Sequence, residues 1–432
     1  MTYAEAIQFL HGLQMFGANF GLETPRKLAA LAGNPHEKLR FIHVAGTNGK
    51  GSTCAMLESI YRAAGLRVGL FTSPHLVSLR ERIQINRQLI SETDVARLAA
   101  ELRQSLKEFP AEQHPTMFEV VTVMALKLFA EKKCDLVILE TGLGGRLDAT
   151  NIVTPLASVI TNISLDHQQW LGDTLEKIGA EKAGIIKLGV PVVTGATQPE
   201  VLTVIERIAK EKNAPLTTVA TNGNSSQNKF PALCLDAVAL PLLGEHQMRN
   251  AALALAIVEI LQKQIPVSEK NVRSGLATVH WPGRLQTIHC GGLKFLLDGA
   301  HNVAGVEALR AALLGEVTEV GVATFIVGFL GDKDWQPMCK ILAPLSVKFF
   351  LVPVASERTA STDELANYFA LENPSAEVVI CKNLSEALDA CKDELVVVVA
   401  GSLYLIGEAL ELLGHSPANT SERGLNEWSA KK

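Results

Sequence analysis

The chain has 432 residues, of which 47% are hydrophobic and 5% aromatic, a balance that favours a soluble α/β protein of two domains. Its formal net charge of −5 gives no electrostatic reason to expect nucleic acid or an anionic membrane as a partner. No apolar run approaches the roughly 18 residues of a membrane span, and seven cysteines without a C-x-x-C pair favour free thiols, so we expect a cytoplasmic protein.

Short β-branched runs alternate with longer helical patterns up to residue 286, as is typical of βαβ units and a parallel sheet. The strands predicted in this part are 41–45, 68–72, 136–139, 158–161 and 190–194, and the helices include 53–64, 120–132 and 247–262. A polar stretch at 221–229 predicts a loop.

Pro282 and Gly283 interrupt this pattern, and we place a domain boundary after residue 286. The alternation then restarts, with strands predicted at 295–297, 324–327, 349–352, 378–380 and 395–399. The sequence therefore predicts two doubly wound α/β domains, at 1–286 and 287–415, followed by a loose polar tail at 416–432.

The first predicted strand runs into the glycine-rich stretch GTNGKGS, residues 46–52, and then into a helical pattern. Glycines allow close approach to a phosphate, a helix N-terminus offers free N–H groups, and Lys50 can neutralise phosphate charge. The stretch departs from the Walker A pattern because Gly51 separates Lys50 from Ser52, which implies that magnesium is held partly by other residues. A β–α turn with a capping serine is the alternative, but the order of strand, glycine loop, lysine and helix favours nucleotide binding.

Other polar residues end predicted strands, where open parallel sheets bind their ligands. Glu140 ends one strand and resembles a Walker B acid that can hold Mg²⁺. Its alternative is a local ion pair with Arg146 in the following glycine-rich turn. Thr72 and Ser73 end another strand with hydroxyls that could reach the same ion, although Ser-Pro is also a common turn former.

Two later strands are followed by an acid and a histidine. Asp166 and His167 follow the strand at 158–161, and we favour a metal or phosphate role for them over a capping or core role. In the second domain Asp298 again ends a strand, at 295–297, with His301 and Asn302 in the next loop, and this pattern is suggestive only.

The spacing of apolar residues along a predicted helix indicates that Lys182 is buried. The apolar residues of its helix place position 182 on the buried face, in the series Leu175, Ile178, 182, Ile185. Lys177 and Lys187 lie off that face. Burial lowers the pKa of a lysine, and the neutral amine can take up CO₂ to form a carbamate that binds metal. A snorkelling lysine or a buried ion pair is the alternative.

The segment 115–130 predicts a helix that begins with a capping box. Thr116 and Glu119 have the spacing of that motif, which by itself accounts for both residues. Substrate contact is the alternative for Glu119.

Taken together, these stretches resemble the folylpolyglutamate synthase and dihydrofolate synthase group of the Mur ligase superfamily. The matching segments run in order from about residue 20 to 415. They are GTNGKGS (46–52), FTSPHL (71–76), FEVVT (118–122), ETGLGGRLDATN (140–151), DHQQWLG (166–172), EKAGI (181–185), GEHQMRNAALA (244–254), PGRLQ (282–286), DGAHN (298–302), DKDW (332–335) and GSLYLIGE (401–408). That group carries Lys-Gly-Ser where Walker A carries Lys-[ST], so the departure noted above is its own form of the loop.

The resemblance implies a P-loop-type parallel-sheet ATPase domain followed by a smaller Rossmann-like domain, and it assigns site residues. Those it assigns to ATP are Gly46, Thr47, Asn48, Gly49, Lys50, Gly51, Ser52, Asn250, Arg284 and Asp298. Those it assigns to two Mg²⁺ ions are Ser73, Glu140, His167 and Lys182, the last as a carbamate. Those it assigns to the pterin-bearing substrate are Phe118, Glu119, Val120, Val121, Arg146, Leu147 and Asp148. Lys50, Lys182 and His301 are expected at the catalytic centre, with the role of His301 open.

The implied activity is ATP-dependent amide ligation. A carboxylate is phosphorylated by ATP, and the amino group of L-glutamate then attacks the acyl phosphate, which gives an amide, ADP and phosphate. The acceptor is dihydropteroate, a reduced folate or both; we favour the bifunctional enzyme, acting as a monomer, over a monofunctional folylpolyglutamate synthase.

Two other classes of protein fit less well. A Mur peptidoglycan ligase needs a UDP-binding domain before the ATP loop, and only about 40 residues precede that loop here. A P-loop nucleotide switch would retain Lys-[ST] and would have no need of a lysine on a buried helix face.

Overall fold

The computed structural model describes residues 1–17, 21–219, 239–316, 323–418 and 421–427, so the loop predicted at 221–229 lies outside the described residues. In these ranges, no helix combines the length and the apolarity needed to cross a bilayer. The cysteines of the described part are free thiols, as predicted.

The larger sheet is built from the first half of the chain. Its strands are Phe41–Ala45 (β1), Val68–Phe71 (β2), Ile83–Ile85 (β3), Gln88–Leu89 (β4), Leu136–Glu140 (β5), Ala157–Ile160 (β6), Val192–Thr194 (β7) and Leu216–Thr218 (β8). In the described residues they lie in the order β4-β3-β2-β5-β1-β6-β7-β8, parallel except for β3 and its hairpin with β4 at one edge. The five strands predicted here are confirmed, whereas β3, β4 and β8 were not predicted.

The smaller sheet follows. Its strands are Gln286–Cys290 (β9), Leu293–Asp298 (β10), Thr324–Val327 (β11), Lys348–Leu351 (β12), Glu377–Ile380 (β13) and Val396–Ala400 (β14). The order is β13-β12-β11-β14-β10-β9, parallel except for β9, which pairs antiparallel with β10. The predicted strands of this half are confirmed, and the boundary predicted after residue 286 falls at the first strand of the second sheet.

Helices cover both faces of each sheet. Those of the first part are Tyr3–Gly12 (α1), Glu23–Leu31 (α2), Lys50–Ala63 (α3), Glu92–Ser105 (α4), Met117–Glu131 (α5), Gln168–Leu171 (α6), Leu175–Ala183 (α7), Pro199–Glu211 (α8), Glu245–Ile260 (α9) and Glu269–Ala277 (α10). Those of the second are Val303–Glu316 (α11), Trp335–Leu342 (α12), Thr362–Glu372 (α13), Leu384–Ala390 (α14) and Leu403–Leu412 (α15). Along β5, Val137 and Leu139 enter one core, while Leu136 and Ile138 enter the core on the opposite face, as a strand buried on both sides requires.

Part of the expected polar tail is packed. Leu425 is fully buried in the core beneath α1, and Glu422 is buried as well. The Glu422 carboxylate accepts hydrogen bonds from the Ser78 hydroxyl and the Leu79 N–H, at 3.0 and 2.7 Å. Residues 421–427 are therefore not a loose tail, because one leucine and one paired acid anchor them; residues 419–420 and 428–432 lie outside the described ranges.

Candidate active site

A cavity of about 1360 Å³ lies between the two sheets. It is lined from the first domain by the loops that follow β1, β2, β5, β6 and β7, and from the second by the loops that follow β10, β11, β12 and β14. The carboxyl ends of the parallel strands of both domains therefore open onto one space, as expected for ligand sites in open α/β sheets.

The glycine loop is shaped by two positions that exclude a side chain. Gly46 has φ +148°, and a Cβ there would collide with the hydroxyl of Thr161. Gly49 has φ +82° directly before α3, and a Cβ there would collide with the amide of Asn250. The loop therefore presents the N-terminus of α3 to the cavity, an arrangement suited to phosphate binding. Lys50, the first residue of α3, donates from Nζ to the carbonyl of Gly46 at 3.2 Å.

Lys182 lies on the buried face of α7, as its spacing predicted. Its side chain is 5% exposed, and Nζ donates to the carbonyl oxygen of Gly46 at 2.8 Å, the same oxygen that Lys50 contacts. Burial and the nearby charge of Lys50 lower the pKa of Lys182 to about 7. Lys177, in contrast, is exposed and pairs with Asp173 at 2.7 Å. An amine of this pKa is partly neutral near pH 7, which is the form that reacts with CO₂.

The other proposed metal ligands also line the cavity. Burial raises the pKa of Glu140 to about 7, although the charge of Lys50 opposes this, and its Oε2 accepts a hydrogen bond from the Ser73 N–H at 3.2 Å. Burial and the charge of Lys333 lower the pKa of His167 to about 4, so its imidazole is neutral at pH 7. Thr72 is buried and does not line the cavity.

This donor set fits a divalent cation that also contacts phosphate. A carboxylate, a hydroxyl and a neutral imidazole are suitable donors. No group of three or more His, Cys, Asp or Glu side chains in the described ranges could hold an ion by itself. Oxygens of a carbamate, of water or of phosphate would have to complete the coordination, as is usual for Mg²⁺ at phosphate sites.

Asp166 joins the two domains. Its carboxylate accepts hydrogen bonds from Lys333 Nζ at 2.7 Å and from the Asn302 amide at 2.9 Å, and both residues belong to the second domain. Burial by itself would raise the pKa of Asp166, but Lys333, His167 and His301 together hold it below its usual range. The metal or phosphate role expected for Asp166 is therefore withdrawn, since its oxygens are occupied by the domain contact.

The second domain contributes a rigid turn after β10. The carboxylate of Asp298 accepts hydrogen bonds from the N–H groups of Leu285 and Ala300, each at 2.9 Å, and burial raises its pKa. His301 donates from Nδ1 to the carbonyl of Gly299 at 2.8 Å, and burial with the charge of Lys333 lowers its pKa to about 4. Arg284, Asp298 and His301 all line the cavity, where His301 is a neutral imidazole.

The residues expected to contact the pterin-bearing substrate divide into two sets. Those that line the cavity are Phe118, Glu119, Leu147 and Asp148. Those that do not are Val120, Val121 and Arg146. Val120 and Val121 are fully buried because the second turn of α5 faces the core. Arg146 is half exposed and pairs with Glu181 at 2.9 Å, so the alternative of a Glu140–Arg146 ion pair is also wrong.

Glu119 forms the predicted capping box and also faces the cavity. Its Oε2 accepts a hydrogen bond from the Thr116 N–H at 2.7 Å, whereas its buried Oε1 has no hydrogen-bond partner in the described part of the chain. Burial raises the pKa of Glu119 to about 7. The carboxyl group can therefore be protonated near neutral pH and can donate a hydrogen bond to a ligand.

The sequence analysis assigned no role to several residues that line the cavity. They are Lys333, Arg358, Tyr404, Asn426 and Glu427. Lys333 and Arg358 lie in the loops that follow β11 and β12, as Asp166 lies in the loop that follows β6, and that repeated position could have identified them. Nothing in the sequence marks Asn426 or Glu427, which reach the cavity only because residues 421–427 fold back onto both domains.

The fold and the site define an ATP-dependent ligase of two α/β domains. Models of the Mur ligase middle domain and of the Mur ligase glutamate ligase domain match residues 44–258 and 283–403. A dihydrofolate synthase/folylpolyglutamate synthase of Bacillus subtilis is 36% identical, over 94% of this chain and 98% of its own length. A folylpolyglutamate synthase of Lacticaseibacillus casei is 33% identical, over 96% of this chain and 99% of its own.

Solved structures agree over the whole chain. Escherichia coli FolC in complex with DHPP and ADP superposes with a TM-score of 0.83 at 32% identity, covering 96% of this chain and 98% of that one. Mycobacterium tuberculosis folylpolyglutamate synthase with ADP superposes with a TM-score of 0.85 at 30% identity, covering 96% and 100%. The chain belongs to the folylpolyglutamate synthase and dihydrofolate synthase family of the Mur ligases.

Proposed function

We propose that this ligase adds L-glutamate both to dihydropteroate and to the glutamate tail of reduced folates, with ATP as phosphoryl donor and two Mg²⁺ ions. The observation that supports the proposal is the shared cavity, in which the glycine loop meets the side chains of Glu140, Lys182 and Phe118. A ligase that phosphorylates a folate carboxylate needs these groups within one space.

The first step would be transfer of the γ-phosphoryl group to the substrate carboxylate. The N–H groups at the start of α3, together with Lys50 and Arg284, would bind and neutralise the phosphates. Ser73, Glu140, His167 and the Lys182 carbamate would hold Mg²⁺, which when bound neutralises charge between the phosphates. The carbamate forms when the neutral Lys182 amine adds to CO₂ and releases one proton.

The second step would be attack of the neutral glutamate amine on the acyl phosphate. The C–N bond forms as the C–O bond to phosphate breaks, and the amine loses a proton. Both domains line the cavity, so their contact through Asp166 and Lys333 would limit the access of water to the acyl phosphate. His301, held as a neutral imidazole, is a candidate to accept a hydrogen bond from a reacting group.

The names of the relatives do not decide which substrate accepts L-glutamate in this protein. Those of Bacillus subtilis and Escherichia coli carry both names, whereas that of Lacticaseibacillus casei is named folylpolyglutamate synthase. The bifunctional enzyme is our proposal, and the monofunctional folylpolyglutamate synthase is its alternative. The monomeric state and the cytoplasmic location stay predictions from the sequence.

Parallel assays decide between these. Purified protein with ATP, Mg²⁺ and L-glutamate should release phosphate with dihydropteroate and also with tetrahydrofolate. Release with tetrahydrofolate alone would assign the monofunctional alternative. No glutamate-dependent release with either acceptor would overturn the proposal.

A further inference from the structure

Residues 421–427, called here the C-terminal strap, contact both domains. On the side of the first domain, Asn426 accepts a hydrogen bond from Arg82 at 2.6 Å and donates one to the carbonyl of His75 at 2.9 Å. On the side of the second domain, Arg423 pairs with Glu411, and Glu427 pairs with Arg358. The strap lies outside both matched domain models, so the family match assigns it no role.

The Glu427 pair reaches the cavity. Arg358 Nε donates to Glu427 Oε2 at 3.0 Å, its Nη2 donates to the hydroxyl of Tyr404 at 3.2 Å, and its Nη1 donates to Asp332 Oδ2 at 3.0 Å. Arg358, Tyr404 and Glu427 all line the cavity, whereas Arg423 and Glu411 do not. The second oxygen of Glu427, Oε1, is buried and has no hydrogen-bond partner within the described residues.

The Glu427 carboxylate lacks a hydrogen bond that its buried oxygen would normally make. An internal carboxylate that uses only one oxygen gives up a hydrogen bond that a freely oriented ligand carboxylate could make. Asp332 can stay bonded to Nη1 while a ligand takes the place of Glu427 at Nε. Glu427 can also leave Arg358 without unfolding the strap, because Glu422, Leu425 and Asn426 anchor the strap separately. A ligand carboxylate can therefore replace Glu427 at small structural cost.

We propose that Arg358 binds a carboxylate of the incoming acidic amino acid, and that Glu427 occupies this position until the amino acid displaces it. The inference rests on the proposed function, in which L-glutamate is the amine substrate. The amino acid is favoured over the pterin substrate because Arg358 and Tyr404 belong to the second domain, whereas the cavity residues expected to contact the pterin, Phe118, Leu147 and Asp148, belong to the first.

The test is Glu427→Gln in the full chain, which removes the charge at nearly constant volume. Competition for Arg358 then weakens, and KM for L-glutamate should fall about threefold, the scale of a partly exposed ion pair. KM for ATP and for the folate should stay within about twofold of wild type. Arg358→Gln should raise KM for L-glutamate by about tenfold or more.

Glu411→Gln is the matched control, because it breaks the other ion pair of the strap away from the cavity. Glu411→Gln should leave KM for L-glutamate unchanged. If it lowers this KM as much as Glu427→Gln does, loosening of the strap explains both effects and the inference is overturned. An unchanged or raised KM for L-glutamate in Glu427→Gln would also overturn it, as would a fall confined to the folate.

A binding measurement separates this inference from the proposed function. Titration of L-glutamate into the full chain, followed by calorimetry, should show tighter binding by Glu427→Gln than by wild type, whether or not turnover occurs. Equal binding by the two proteins would overturn the inference. Failure of wild-type protein to release phosphate would count against the proposed function instead.

Discussion

The two domains both supply charged groups to the cavity, but these groups differ in whether an oppositely charged side chain is bound to them. In the first domain, Glu140 and Lys182 are buried without an oppositely charged side chain bound to them, and burial moves the pKa of each to about 7. At the second domain, charges are paired: Lys333 with Asp166, and Arg358 with both Glu427 and Asp332. The difference fits the two proposals above, in which the first region receives ions and phosphate and Arg358 in the second exchanges an internal partner for a ligand.

The largest effect on activity is expected at Lys182. Lys182→Ala removes the proposed carbamate and should lower kcat by about a thousandfold, since the negative charge of the carbamate would be lost from the cavity. ATP binding, measured by calorimetry, should remain detectable. Lys177→Ala, on the exposed face of the same helix, is the control and should behave as wild type. Full activity of Lys182→Ala would remove the carbamate from the mechanism.

Substitution of Glu140 should change activity and stability in opposite directions. Glu140→Gln should lower kcat by about a hundredfold or more, yet raise Tm in EDTA, because burying the charged carboxylate costs roughly 3 kcal/mol. The raised pKa means that this cost is full above about pH 7 and absent below the unfolded value of 4.5. The Tm gain should therefore grow as pH rises through that window. A gain of the same size at pH 4 and pH 8 would contradict this explanation.

The interdomain pair should have an intermediate effect. Asp166→Asn leaves Lys333 without its partner and should lower kcat/KM by about tenfold through loss of the domain contact. A double-mutant cycle with Lys333→Met measures the coupling between the two residues. Additive losses would mean that the ion pair does not hold the domains together.

The smallest effect is expected at Arg146. Its pair with Glu181 is partly exposed, so Arg146→Ala should change stability by less than about 1 kcal/mol and KM for the folate by less than about twofold. Steady-state kinetics with tetrahydrofolate provide the measurement. A tenfold rise in that KM would place Arg146 at the substrate after all, as the family resemblance implies.

Much of the site follows from patterns that span only a few residues. β-branched runs located the strands, and their ends located Ser73 and Glu140. The 3–4–3 spacing of apolar residues assigned Lys182 to the buried face of its helix. The same reasoning gave a Glu140–Arg146 ion pair as the alternative role of Glu140, and that alternative is wrong: Arg146 pairs with Glu181, 35 positions away.

The sequence by itself determined the strands, the glycine loop and the faces of the helices, because these depend on backbone preferences and on spacing within one element. Only the tertiary structure decided which charges are neutralised. Asp166 and Lys333 are 167 positions apart, and Arg358 and Glu427 are 69 apart. Such pairs form when the two domains and the strap come together, and no periodicity within an element records that contact.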